Sequence, residues 1–374
     1  MILHLTRRLI GLNIHILLTQ QVWFHKLANM STSPSLVTNF SQQLQSFKLP
    51  FYSIEIFPPS TESGLNNLKN FLSDIRKYRP LFCAITSKST SRTSENETGS
   101  RFELARMIIK NYGFDILLHL TCSDMMDSNQ GRKILSEAKK SGIKYIFALQ
   151  GDNFKPAEPR EFNHAIDIVK FIRKEFSNDF IIAVAGYPDG HPSSPSFKQD
   201  IAHLKAKVDA GADIVISQFF FNVDTFAKFV RCCRSADIKA PILPGIFTFS
   251  SYKSFTRMIN TTKVPVSNEL LMKIESKSQA DQQIKQFAIK TSTQLCLNLV
   301  NQGLCPGLHF FSLNQDASLH VIEMVEPMIP RTTINQQLLR LSAQLEECVL
   351  QSETVIQKNA SPIIVQEETP KIIC

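Results

Sequence analysis

From residue 51 onward, short apolar runs alternate with longer segments whose apolar residues recur at helical spacing. A short apolar run rich in β-branched residues predicts a buried strand, whereas apolar residues at i, i+3, i+4 and i+7 predict an amphipathic helix. Helical segments such as "GLNNLKNFLSDIRKY" and "FKQDIAHLKAKVDAGA" separate the runs. The predicted strands are residues 51–57, 81–86, 116–122, 145–151, 181–187, 213–221, 241–247 and 307–313.

Eight strands that alternate with helices predict an α/β fold, namely a (β/α)8 TIM barrel, which we assign to residues 49–330. Such barrels need about 250 residues. A doubly wound sheet is the alternative, but Pro58 and Pro59 follow the first strand in place of a Gly-rich fingerprint. Two helical patterns between the seventh and eighth strands, "NELLMKIES" and "QADQQIKQFAIKTSTQLCLNLVNQG", predict an extra helix before the eighth strand.

The two ends of the chain differ from the barrel in composition. Residues 1–48 are predicted to be an N-terminal extension, and residues 331–374 a helical or flexible tail. The N-terminal apolar stretch is too short and too interrupted by polar residues to predict a membrane span. Its basic, acid-free character fits either a mitochondrial presequence or an upstream extension with Met30 as the start. We therefore expect a cytoplasmic protein, with a mitochondrial location as the alternative.

Charge and cysteine usage narrow the function classes. The formal net charge is +8, and residues 1–54 supply 4 of that excess because they contain no Asp or Glu. No Lys/Arg run with interleaved aromatic residues follows, so the charge does not indicate a nucleic-acid partner. The 8 cysteines show no CxxC pair and no Cys/His ligand spacing, which predicts free thiols, a reducing compartment and no metal site.

The first predicted strand, "FYSIEIF", carries an acid in an apolar run. Side chains alternate along a strand, so Ser53 and Glu55 share one face while Ile54 and Ile56 share the other. In a barrel the aliphatic face packs against the helices, which turns Glu55 into the lumen near the carboxyl end of its strand. Active sites of this architecture lie at that end. An inward acid needs a partner or a function, because burying an unpaired carboxylate is unfavourable.

Five later strands repeat this feature, each with a polar residue at or just beyond its end. These residues are Thr86, His119, Asp152, Tyr187 and Gln218. Counted from Glu55, the successive separations are 31 to 35 residues, about one βα unit each. Each residue alone has a structural explanation, as a cap, a core histidine, a turn residue or a packed ring. Six polar side chains at one rim of one barrel predict a functional site there.

Seven motifs in order resemble the catalytic domain of the methylenetetrahydrofolate reductase family, in a form close to its eukaryotic branch. They are "EIFPP", "LHLTC", "ALQGD", "VAGYPDGHP", "LKAKVDAGADIVISQFFF", "PGIF" and "PGLHFFSLN", and the resemblance covers residues 50–328. It implies a flavoprotein oxidoreductase of folate and one-carbon metabolism, which serves methionine biosynthesis. It further implies that FAD in the barrel passes hydride by ping-pong from NADPH or NADH to 5,10-methylenetetrahydrofolate, giving 5-methyltetrahydrofolate. A polyglutamylated substrate and a homo-oligomer are further expectations, and no membrane or nucleic-acid partner is expected.

The resemblance also implies roles for individual residues. Glu55 would be the general acid that protonates the leaving nitrogen of the substrate ring, and burial is expected to keep its carboxyl protonated at neutral pH. Asp152 would lie near flavin and pterin and favour the cationic iminium. Gln218 and Gln315 would contact the substrate. The cofactor-binding positions would be Thr86, His119, Gln150, Gly151, Asp152, His164, Ala165, Ala185, Tyr187, His191, Asp200, His203 and Lys207.

The chain departs from the family pattern at three of these positions. Gln150 and Gln315 stand where the family has arginine, and His164 stands where it has tyrosine. Losing one charge-assisted contact weakens cofactor binding by about 1.5–3 kcal/mol. The alternative hypothesis is therefore a divergent paralogue, weakly active or non-catalytic, that binds folate or a partner. The short tail further leads us to expect no S-adenosylmethionine-binding regulatory domain and no inhibition by that compound.

Overall fold

The computed structural model describes residues 51–87, 95–151, 160–312 and 316–326. Eight strands alternate with helices along this part of the chain. The strands are β1 (Phe51–Ile56), β2 (Cys83–Ile85), β3 (Ile116–Thr121), β4 (Tyr145–Leu149), β5 (Ile181–Gly186), β6 (Ile214–Phe219), β7 (Ile242–Ile246) and β8 (Gly307–Phe311). The α-helices are α1 (Glu62–Ile75), α2 (Glu95–Tyr112), α3 (Ser128–Lys140), α4 (Ala165–Phe176), α5 (Phe197–Asp209), α6 (Val223–Ser235), α7 (Tyr252–Thr262), α8 (Asn268–Glu275), α9 (Asp281–Asn301) and α10 (Ala317–Val325).

The eight strands close into one parallel barrel in chain order. β8 pairs with β1, with Phe51 opposite Gly307 and Glu55 opposite Phe311. Gly307 is required at this seam, since a Cβ there would lie 2.5 Å from the Phe51 ring. The predicted (β/α)8 barrel and all eight predicted strands are confirmed, and the doubly wound alternative is wrong because the sheet has no open edge.

The helices begin where a short polar side chain satisfies free backbone N–H groups. Thr61, Asp127 and Ser196 cap α1, α3 and α5 by accepting a backbone N–H within the first turn. Each of these helices then buries apolar residues at helical spacing, such as Leu68 and Leu72 in α1. Packing this stripe on the outer face of the strands leaves the carboxyl ends of the strands to form the mouth of the barrel.

Between β7 and β8 the chain forms three helices, α7 to α9, where the sequence indicated two. The sequence "YKSFTRMINTT" of α7 gave little signal because Thr and Ser have weak helix propensity. A capping box of Ser251 and Ser254 begins this helix, and its Phe255 is buried in an apolar cluster with Phe219 and Phe247. The extra helix predicted before β8 is confirmed, with α7 as an addition.

The barrel belongs to the first of two units of the chain, Met1–Met328. The predicted extension at 1–48 and tail at 331–374 lie outside the described residues, so both stay predictions. Within the described ranges no helix has the length and apolar character needed to cross a bilayer. The cysteines in these ranges are free thiols, and Cys83 and Cys122 are buried. No group of three metal-ligating side chains occurs in the same ranges.

Candidate functional site

Glu55 lies inside the barrel and contacts two histidines. Its Oε2 is 3.4 Å from Nε2 of His119 on β3 and 3.8 Å from Nε2 of His309 on β8. β2 separates β1 from β3, so a contact between Glu55 and His119 crosses the lumen. The predicted inward direction of Glu55 is therefore confirmed. All three side chains are buried, with Glu55 and His119 each 7% exposed.

The two histidines reverse the expected protonation of Glu55. Burial acts to raise the pKa of this carboxyl, but hydrogen bonding and charge interaction with His119 and His309 lower it to about 2. Glu55 is thus an ionised carboxylate at neutral pH, and the prediction that burial keeps it protonated is wrong. The physical reason is that desolvation and the interactions with the two histidines act in opposite directions, and here the two histidines together outweigh desolvation.

His309 is a site residue that the sequence reasoning missed. Its Nδ1 lies 2.9 Å from Oγ of Ser53, the neighbour of Glu55 on the inward face of β1. Among the described residues the Ser53 hydroxyl has this one partner, so we assign its proton to the bond with Nδ1. The ring proton then sits on Nε2, which faces Glu55. Burial lowers the pKa of His309 although Glu55 opposes this, which keeps the ring neutral.

A signal for His309 was present in the sequence. Strand β8 closes beside β1, and Ser53 stands opposite His309 in register. Directly opposed residues of paired strands have side chains on the same face. The alternation that places Ser53 and Glu55 inward therefore places His309 inward as well.

Thr86 follows β2 on the lumen face, because Ala84 stands opposite Glu55 and alternation carries the same face to Thr86. Its Oγ1 is buried and makes no hydrogen bond among the described residues. Nε2 of His119 is also buried, but it faces the Glu55 carboxylate at 3.4 Å. Buried polar atoms are nearly always paired, so the unpaired Thr86 hydroxyl at the mouth is available to a ligand.

A β-bulge presents Gln218 at the end of β6. The register of β6 against β7 shifts between Ile216 and Phe219, and Ser217 Oγ accepts the N–H of Gly245 at 3.0 Å across the gap. The Oε1 of Gln218 accepts the N–H of Phe219 at 2.9 Å. Because a backbone N–H can only donate, the amide must turn its Nε2 donor group away from the backbone.

Gln218 and Tyr187 line one shallow cleft at the mouth, together with Lys263 and Val264 from the end of α7 and the following loop. Two of the six predicted rim residues are therefore brought together here, as Glu55 and His119 are in the lumen.

Several of the predicted cofactor-binding residues lie between the end of β5 and the end of α5. Lys207 donates from Nζ to the carbonyl oxygen of Ala185 at 2.7 Å, and burial lowers its pKa to about 8 although Asp200 opposes this. Asp200 accepts the N–H of His191 at 3.2 Å, and burial raises the pKa of its carboxyl. The rings of Tyr187 and His191 meet edge to face, with centroids 4.5 Å apart.

Burial has the larger effect and raises the pKa of the Asp200 carboxyl, whereas His203, on the exposed face of α5, acts in the opposite direction. The arrangement places a lysine, which is mostly cationic at neutral pH, beside a buried carboxyl at the end of β5. An anionic group of a ligand can pair with such a lysine.

The third group lies where β4 leads to α4, whose first residue is Ala165. Gln150 donates from Nε2 to the carbonyl oxygen of Asn163 at 3.0 Å, and the same atom is 3.3 Å from Nδ1 of His164. Two positions that depart from the family pattern thus contact each other. Gly151 has φ +94, and a Cβ there would lie 3.3 Å from Thr121. Glycine is required at this backbone turn.

Two predicted site residues cannot be placed. Asp152 and Gln315 lie outside the described residues, so their roles stay predictions. All other predicted site residues lie at the carboxyl ends of β1 to β6 or in the segments that follow them. The contacts above bring them together in groups, and none of those contacts between described residues links the β5 group directly to Glu55.

The fold and site define a (β/α)8-barrel protein with a buried, ionised acid in its lumen and, among the described residues, a buried hydroxyl without a hydrogen-bond partner at the carboxyl ends of its strands. The family described as "Methylenetetrahydrofolate reductase" matches residues 39–326. The chain belongs to this family.

Curated relatives agree with this assignment. The chain is 33% identical over 279 residues to the probable methylenetetrahydrofolate reductase (NADPH) of Caenorhabditis elegans, which covers 74% of this chain and 42% of that protein. It is 34% identical over 302 residues to methylenetetrahydrofolate reductase (NADH) 1 of Arabidopsis thaliana. This match covers 77% of this chain and 50% of that protein. The 5,10-methylenetetrahydrofolate reductase of Buchnera aphidicola is 32% identical over 266 residues, covering 70% of this chain and 87% of that protein. The chain thus spans about half the length of the two eukaryotic relatives.

Among solved structures, the fold is similar to a Clostridium thermocellum protein described as binding two copies of 5-methyl-5,6,7,8-tetrahydrofolic acid. The TM-score is 0.53 at 12% sequence identity, covering 77% of this chain and 98% of that one. At this level of identity the likeness supports the barrel fold alone.

Proposed function

We propose that this barrel reduces 5,10-methylenetetrahydrofolate to 5-methyltetrahydrofolate with NADPH or NADH, using FAD bound at its mouth. The observation that carries the proposal is the lumen-facing Glu55 between His119 and His309, in a chain of this family. A single buried acid with two imidazole partners is suited to holding and transferring a proton. The relatives named above act with NADPH in one case and NADH in the other, so both nucleotides are candidates.

The residues at the mouth fit a flavin. Thr86 Oγ1 is a buried polar atom that lacks a partner among the described residues, and His119 Nε2 is buried beside Glu55. The backbone at Gly151 allows close approach of a ligand, and Lys207 supplies a cation for a phosphate. When bound, FAD would supply the hydride chemistry, accepting from the nicotinamide and delivering to the folate in turn. The protein would orient the reactants and supply the proton.

The proton would come from the pair formed by Glu55 and His119. Opening the substrate ring requires a proton on the leaving nitrogen, and an ionised Glu55 cannot deliver one by itself. His119 lies 3.4 Å away and can share a proton with the carboxylate. In this proposal the pair takes up one proton from solvent when the substrate binds, and the desolvation that the bound substrate completes favours the neutral carboxyl, so that Glu55 becomes the donor. In this proposal Asp152 stabilises the cationic iminium, and Gln218 and Gln315 hold the substrate.

The side-chain amide of Gln218 determines which kind of ligand atom it can bind. Since its Oε1 is occupied by the N–H of Phe219, its Nε2 is free to donate to an acceptor on the ligand. A pterin edge offers such acceptors on a ring nitrogen and a carbonyl oxygen. We further propose a role in methionine biosynthesis, a polyglutamylated substrate, a homo-oligomer, and a cytoplasmic location with a mitochondrial one as the alternative.

One observation favours a second candidate, a folate-binding relative with little or no turnover. Gln150 and His164 contact each other at positions where the family resemblance implies an arginine and a tyrosine. The cation expected near the flavin is therefore missing from this position. Weak flavin binding would follow, and with it weak activity.

Purified protein supplied with FAD separates the two candidates. The proposed enzyme becomes yellow, loses that colour with NADPH or NADH in the absence of oxygen, and forms 5-methyltetrahydrofolate when the folate is added. Protein that binds the folate but stays colourless at saturating FAD supports the second candidate and contradicts the first.

A further inference from the structure

A buried ion pair lies behind the site, between Arg101 on α2 and Asp124 in the loop after β3. Nη2 of Arg101 is 2.9 Å from Oδ1 of Asp124, and the two side chains are 8% and 2% exposed. The second nitrogen, Nη1, donates to the carbonyl oxygen of His119 at 3.0 Å. One guanidinium therefore holds both the loop and the backbone of the histidine that contacts Glu55.

Asp124 extends this network to the neighbouring βα units. Its Oδ2 accepts both the N–H and the hydroxyl of Thr121 at 2.8 Å, and the hydroxyl of Ser87 lies 3.5 Å from the same oxygen. Thr121 in turn packs against Gly151, where a Cβ would be 3.3 Å away. The pair thus joins the ends of β2, β3 and β4, which carry Thr86, His119 and Gly151.

Stability alone does not explain a pair of this kind. Replacing a buried ion pair by apolar residues of similar size is often neutral or stabilising, since desolvation offsets the attraction. A guanidinium has a rigid fork that can serve two acceptors in a fixed geometry, which an apolar side chain cannot do. The two acceptors here are the Asp124 carboxylate and the His119 carbonyl group.

We propose that Arg101 and Asp124 are positioning residues, which set the place of His119 and of the Gly151 turn for the bound flavin. The proposal rests on the proposed function for the identity of the ligand. It makes a prediction about the free protein as well, because these contacts join residues of the protein to one another. Loss of the guanidinium fork should let the His119 ring and the turn at Gly151 shift.

The test compares two double variants of the full chain. In Arg101→Met/Asp124→Asn no buried charge is left unpaired, and the asparagine oxygen still accepts from Thr121. The matched control is Arg106→Met/Glu137→Gln, which removes an exposed ion pair of 3.0 Å on the same helix, α2. FAD binding is measured by fluorescence titration, and folding by the urea midpoint.

We expect Arg101→Met/Asp124→Asn to keep the urea midpoint of wild type. Its dissociation constant for FAD should rise at least about tenfold, which corresponds to the loss of one modest interaction. The control should bind FAD within twofold of wild type. Equal binding by wild type and Arg101→Met/Asp124→Asn would overturn the proposal. If that variant fails to fold, Arg101→Lys is measured in its place. The compact ammonium of lysine keeps the charge but lacks the fork of the guanidinium, so we expect the same loss of FAD affinity. Wild-type affinity for FAD in Arg101→Lys would overturn the proposal.

A second measurement separates this proposal from the proposed function. If wild-type protein does not bind FAD, the flavin assignment fails, and the Cε1–H resonance of His119 in the free protein then decides on positioning. A chemical shift that changes in Arg101→Met/Asp124→Asn but not in the control variant supports the positioning role of the ion pair. A resonance that is unchanged in both variants overturns it.

Discussion

Replacing Glu55 by glutamine tests whether the histidines or the burial control this carboxyl. The pKa of Glu55 falls from an ordinary 4.5 to about 2 in the folded protein. Each unit corresponds to about 1.4 kcal/mol, so the ionised carboxylate contributes about 3 kcal/mol to the free energy of unfolding at neutral pH. A lowered carboxyl pKa gives stability that is present above the unfolded value and lost as the pH falls through the folded value.

The assay is urea unfolding of wild type and Glu55→Gln at several pH values between 6 and 3. The stability difference between the two proteins should shrink by about 2 kcal/mol over this range, because the unfolded chain takes up its proton before the folded one does. Glutamine keeps the size of the side chain, so the comparison isolates the titration. His119→Gln should reduce the effect, since it removes one of the two partners of Glu55.

The opposite sign would refute this reasoning. If burial dominated, the folded pKa would lie above the unfolded one, and the stability difference would grow in favour of wild type as the pH fell. A difference that does not change with pH would mean that the contacts of Glu55 with His119 and His309 do not affect its ionisation.

Three further changes test other parts of the site. Gln150→Arg should tighten FAD binding about tenfold or more in a fluorescence titration, because it adds a charge-assisted contact; unchanged or weaker binding would contradict this. Gly151→Ala should lower the free energy of unfolding by about 1–2 kcal/mol in urea, since its φ of +94 disfavours a Cβ; an unchanged midpoint would contradict it. With a folded pKa of about 8, Lys207 should make wild type gain stability relative to Lys207→Met as the pH rises from 8 towards 10.5. A loss of stability of wild type relative to Lys207→Met over that range would contradict this prediction.

The barrel could be predicted because its signals are local. Each strand is a short apolar run, and each helix has an apolar stripe, so the number and order of elements follow from neighbours in the sequence. Helix α7 was missed because Phe255 and its partners in the cluster, rather than helix propensity, stabilise it.

The position of the site could be predicted from the sequence, but the ionisation of its acid could not. The direction of Glu55 follows from alternation within β1, whereas its ionisation depends on His309, which is distant in the sequence and adjacent only because the barrel closes. The ion pair of Arg101 and Asp124 was missed for a related reason. Neither residue stands at a strand end, and their contact requires the packing of α2 against the loop after β3.

The most direct test of the account is a comparison of the two half-reactions in FAD-loaded wild type and Glu55→Gln. We expect NADPH or NADH to bleach the flavin of both proteins at rates within a few fold. We expect reoxidation by 5,10-methylenetetrahydrofolate to be slower in Glu55→Gln by about 100-fold or more, the usual contribution of a general acid. Equal rates of folate reduction in the two proteins would contradict the role of Glu55 as proton donor and, with it, the proposed site.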